Sequence, residues 1–136
     1  MTYQFEEPFF EEKGRITARK EIGGDKIQMT FSSNGTFKGN IEVTNTEELV
    51  SVSKGNKGTS AQGQGVVITK DGSEKANYTF LQGGKTTEEG KQVLRGCAIW
   101  STDSTGKLAF LDNMFSFVTT EIDDTGNFSS NDRELK

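Results

Sequence analysis

The feature that most constrains this chain is a side-chain period of two. Lys26-Ile27-Gln28-Met29-Thr30-Phe31 alternates polar and apolar residues without a fault, as a strand with one buried and one wet face does. Phe37, Ile41 and Val43 continue the pattern, with Gly39 at one apolar position. Tyr78 with Phe80, and Phe115 with Phe117, repeat it later. No stretch carries a capped apolar stripe at helical spacing; only Glu6 to Lys13 leaves room for a short turn.

Turn signals punctuate these runs. They are Gly23-Gly24-Asp25, Asn34-Gly35, Gly55-Asn56-Lys57-Gly58, Asp71-Gly72, Gly83-Gly84, Asp103 to Gly106, and Asp124-Thr125-Gly126-Asn127. Asn-Gly and Asp-Gly favour hairpins because both central residues of a type I′ turn need positive φ. The spacing predicts strands near 14–22, 26–33, 36–44, 47–53, 59–70, 74–82, 92–101, 107–111, 114–123 and 127–134.

So many short, hairpin-linked strands must hide their edges, and an up-and-down barrel does so completely. The expected fold is all-β, an antiparallel meander barrel of about eight strands, a size whose interior is packed or holds one small ligand. Residues 1–13 are expected to form an N-terminal arm, with Phe5, Phe9 and Phe10 covering a barrel end or edge, and residues 14–136 a single barrel domain. Val93 to Trp100 is apolar on both faces, so its outer face calls for a cover, either the N-terminal segment or a second copy in a homodimer.

Composition narrows the function classes. With 31% apolar residues the core is lean, and many side chains face water or a polar interior. A net charge of −4 without any Lys/Arg run argues against nucleic-acid partners, which need clustered cations. No apolar stretch approaches the roughly 18–20 residues that span a bilayer, so no membrane partner is expected. Met1 to Glu12 lacks the basic and apolar regions of a signal peptide. Cys97 is the single cysteine, which excludes an internal disulfide and points to the cytoplasm. The chain has no histidine, so Ser-His-Asp and Cys-His catalysis and His-rich metal sites cannot be built. Neither a metal nor a cofactor is expected.

Several short patterns carry a resemblance. They are Gly63-Gln64-Gly65-Val66-Val67 with Asp71-Gly72, Arg95-Gly96-Cys97-Ala98-Ile99-Trp100, Lys107-Leu108-Ala109 with Leu111-Asp112-Asn113, and Asp124-Thr125-Gly126-Asn127. From about Gly14 to the C-terminus the chain resembles a bacterial family of small proteins of unknown function whose fold is similar to the allene oxide cyclase barrel. The resemblance implies an eight-stranded antiparallel meander with a central cavity. It implies no cyclase activity and brings no catalytic residues.

Six residues are candidates for ligand contact. Gln62 and Gln64 share one strand face, and two amides pointing inward would offer donors and acceptors. Facing solvent, they would be ordinary surface residues, and the surrounding glycines lack the third glycine and helix of a dinucleotide fingerprint. Arg95 shares a face with Cys97 among apolar neighbours, which calls for a structural acid or an anionic ligand. Tyr78 and Trp100 can wall a pocket and present one polar tip each, or simply fill a core. Asn113 holds a loop or turns the chain. Asp123, Asp124 and Asn127 form too short a run for a calcium loop, and a hairpin turn explains them.

The leading expectation is a module binding a small, partly apolar or anionic molecule in the barrel. A structural or interaction protein acting through a dimer surface is the second reading, and a cyclase- or isomerase-like enzyme using the cavity is the third.

Overall fold

The computed structural model describes residues 6–55 and 58–134. Eight antiparallel strands follow one another in chain order and close into a barrel. They are β1 (Phe10–Gly23), β2 (Lys26–Phe37), β3 (Ile41–Ser53), β4 (Thr59–Thr69), β5 (Lys75–Thr86), β6 (Gln92–Ser101), β7 (Phe115–Ile122) and β8 (Asn127–Arg133). Closure is made by β1 against β8, from Phe10 opposite Asp132 to Arg15 opposite Asn127. Among the described residues there is no α-helix, and Ala109–Leu111 forms a single 3-10 turn.

Ten expected segments become eight strands, for identifiable reasons. Asn34-Gly35 is not a turn: β2 runs through it, and the chain reverses at Lys38 and Gly39, both with positive φ. Gly35 faces inward, where an added Cβ would lie 2.6 Å from the Phe10 ring. The glycine is needed for space, not for its turning freedom. The runs 36–44 and 47–53 accordingly join in one strand, β3. Gly83-Gly84 likewise lies inside β5, and the reversal falls later, where the Gly90 amide bonds to the Thr87 carbonyl. Residues 107–111, expected as a strand, hold the 3-10 turn. The loop at 55–58 has its middle outside the described residues.

The N-terminal boundary also moves. Phe10 to Lys13, expected as arm, pair with both β2 and β8 and belong to the wall. The first five residues of the arm, with Phe5, lie outside the described residues.

The interior is layered along the barrel axis. One end is stoppered by aromatics: Phe10 stacks on Phe37 at 4.3 Å between ring centroids, and Trp100 stands edge-on to Phe10 at 5.7 Å. Phe9 and the 3-10 turn, with Phe110 and Leu111, complete this plug. Beyond it lies a polar layer, then an apolar one containing Phe31, Leu49, Leu94 and Phe128. The opposite end, where the β1–β2, β3–β4, β5–β6 and β7–β8 connections gather, is open.

Candidate functional site

The structure separates the six candidate residues. Tyr78 and Trp100 are buried inside the barrel with ring centroids 4.6 Å apart. Gln62 and Gln64 are exposed on the outer wall, and Gln64 donates to Glu48 across the strand pair at 3.0 Å. The inward positions of that strand belong to Gly63 and Gly65. An added Cβ on Gly65 would meet the Tyr78 phenol, so the glycine makes room for the tyrosine. Arg95 is exposed on the outside, with no ion pair among the described residues. Asn113 is exposed with φ 60° just after the 3-10 turn, a turning role. Strand parity thus puts Gln62, Gln64 and Arg95 on the outer wall and Asn113 lies in a turn, so of the six only Tyr78 and Trp100 reach the interior.

The polar interior is built by residues that sequence reasoning did not single out. Glu12 (β1), Glu47 (β3) and Asp132 (β8) point inward with no cation among them. Ser33 and Asn45 donate to Glu12 at 2.6 and 2.8 Å. The Tyr78 hydroxyl lies 3.0 Å from the Asn45 Oδ1 and 2.7 Å from the Glu47 carboxyl. Trp100 donates to Ser116 at 3.1 Å, and Ser116 donates to Asp132 at 2.6 Å. A second chain runs from Gln82 to Thr120 and on to Ser130. No buried side-chain polar atom among the described residues lacks a partner.

Burial sets the ionisation of this cluster. Loss of hydration pushes Glu47 up to about 8, aided by repulsion from Glu12. It pushes Asp132 to about 7 and raises Glu12, although serine and asparagine donors oppose the rise. Tyr78 has one hydroxyl hydrogen and two acceptors in reach, the Asn45 Oδ1 and the Glu47 carboxyl, and its donation to Glu47 opposes the rise that burial causes. Burial thus shifts all three acids toward their protonated forms, and no buried polar side-chain atom around them is left without a hydrogen bond. A signal for them does exist in the sequence: each occupies an inward parity position, Glu12 with Phe10, Glu47 with Leu49, Asp132 with Phe128.

Two spaces lie inside the wall, and no residue lines both. The void beside the carboxyls is about 10 Å³, about the room one water molecule needs. The open mouth is far larger, about 760 Å³. Ile16, Ile27, Met29 and Ile122 give it an apolar floor, while Ser51, Thr59, Thr86 and Gln92 line its walls. Arg19 enters it because the β1–β2 register shifts between Ile16 and Ala18, which turns odd-numbered β1 residues inward. Lys85 stands at the rim beside Gly58. Asp123, also on the rim, is occupied by Thr125 and Asn127, whose donors hold its carboxyl down at about 2.

Fold and interior thus define a closed eight-stranded meander barrel with one plugged and one open end. No protein-family model matches the chain, and no curated protein matches it. Among solved structures, it is similar to a conserved protein of unknown function from Rhodopseudomonas palustris. The match has a TM-score of 0.78, 12% identity and full coverage of both chains. At that identity the likeness establishes the fold. No helix among the described residues is long and apolar enough to cross a membrane.

Proposed function

We propose that this chain binds a small amphipathic molecule, with an apolar body and an anionic group, in the open mouth of the barrel. The observation that carries the reading is the 760 Å³ mouth, with its apolar floor and two cations, Arg19 and Lys85. The size falls within the range of about 300–1,000 Å³ used by small-molecule sites. Asp123 and Asp124 also bring their charges to the rim, but among the described residues neither forms an ion pair with Arg19 or Lys85, and Asp123 is taken up by the donors of its own turn. The bound anion supplies what Arg19 lacks among the described residues, an acceptor for a charge-assisted bond. A cytoplasmic setting, with a ligand drawn from that compartment, fits the single unpaired Cys97.

Kinship with the allene oxide cyclase barrel is part of the same proposal, supported by the meander order, the eight strands and a cavity on the barrel axis. A catalytic reading draws no support from the carboxyls, because Phe31, Leu49, Leu94 and Phe128 are buried between them and the mouth.

Calorimetric titration with decanoate tests the proposal, with octylamine as the cationic control. Decanoate binds one to one, octylamine does not compete, and Arg19→Glu weakens decanoate about tenfold, the value of one charge-assisted hydrogen bond. No decanoate binding, or equal binding by the Arg19→Glu protein, overturns it.

A further inference from the structure

We propose that two copies of this chain pair through the outer face of β5, β6 and β7. A closed barrel has no free edge strand, so association by strand addition is shut off and packing of a wall face is what remains. Leu81 and Ile99 are each 56% exposed and Phe115 is 48% exposed. The strand register makes them one patch: Leu81 lies opposite Cys97, Cys97 opposite Phe117, and Ile99 opposite Phe115. The two phenylalanine rings meet edge to face at 5.0 Å, which holds the centre of the patch in one shape.

Charge selects the occupant. Thr79 completes the outward positions at the centre of this face, and none of them is charged. The outward residues of β1 include Glu11, Lys13 and Arg15, so the neutral face is a local property of the wall. Two chains of net charge −4 repel one another over most of their surface. They approach at least cost through a face that carries no charge, whereas a charged partner would bring groups that find no counterion there. A neutral, self-matching patch is what a twofold interface requires.

Area sets the strength of the pairing. The three strands, about 4.8 Å apart and with roughly seven residues of each, span about 330 Å² in projection. Side-chain relief raises the accessible area above that projection, to the size of a weak, reversible interface. Arg95 stands at the rim of the face, free of any ion pair among the described residues, where an acid of the second copy can meet it.

Sedimentation equilibrium at concentrations above about 10 μM, with the native chain and with Leu81→Lys and Ile99→Glu, tests the proposal. The native chain gives the mass of two chains, and the substituted chains give one with an unchanged far-UV spectrum. Cys97 provides a readout that does not depend on the variants folding. It lies within the patch, so its reaction with a maleimide slows as the concentration of the native chain is raised through the pairing range. A native chain that stays monomeric overturns the proposal, as does a dimer that persists in the folded variants or in which Cys97 reacts as fast as in the dilute chain.

Discussion

Replacing Glu47 by glutamine should stabilise this protein, and only on the alkaline side. The native core holds a proton on Glu47 up to about pH 8, whereas the ordinary carboxyl value is 4.5. Between these values the unfolded chain releases a proton that the folded chain keeps, so native stability falls as pH rises. At pH 7 the gap is about 2.5 units, and at 1.36 kcal/mol per unit the native fold is weakened by about 3 kcal/mol relative to its acid form. Asp132 adds to the same slope, because its value of about 7 also lies above its ordinary 3.8. Glutamine keeps the shape of the acid, and its amide oxygen can accept the Tyr78 hydroxyl hydrogen as the Glu47 carboxyl does. Urea unfolding followed through Trp100, the single tryptophan, measures this between pH 4 and pH 9. The two proteins should coincide near pH 4, with the glutamine variant ahead by about 3 kcal/mol at pH 7. Native stability that is flat or rises between pH 5 and 8 refutes the reasoning, as does a variant weakened equally at every pH.

Two further outcomes test the packing. Gly65→Ala drives a methyl into Tyr78, whose ring is held by Trp100, Asn45 and Glu47, so it costs about 1–3 kcal/mol, read as a lower urea midpoint. Deleting residues 1–12 takes Phe10 from the plug and Glu12 from the polar layer, and removes β1 residues that pair with β8. The shortened chain should lose the near-ultraviolet signal of Trp100 instead of behaving as a barrel without an arm.

Much of the fold is legible in the sequence, and most of the site is not. The alternation of Ile27, Met29 and Phe31 and the turns at Gly23-Gly24 and Asp71-Gly72 read correctly because they are local. Asn34-Gly35 and Gly83-Gly84 misled for the opposite reason. A glycine required for space beside an inward aromatic or a neighbouring backbone looks the same as one required for positive φ. The glutamines of the Gly-Gln-Gly-Gln-Gly run drew attention, yet the glycines hold the inward positions and Tyr78 fills the room they leave.

By itself, then, the sequence determined a chain of half-buried strands with no histidine chemistry, which must close its edges to be stable. The tertiary structure alone decided which alternating face is inside, since a shift of one residue reverses every side chain. That choice sent Gln62, Gln64 and Arg95 outward, gathered Glu12, Glu47 and Asp132 into one buried polar layer, and, through one bulge in β1, turned Arg19 into the mouth. Each of these depends on contacts between strands far apart in the chain, which a local pattern does not contain.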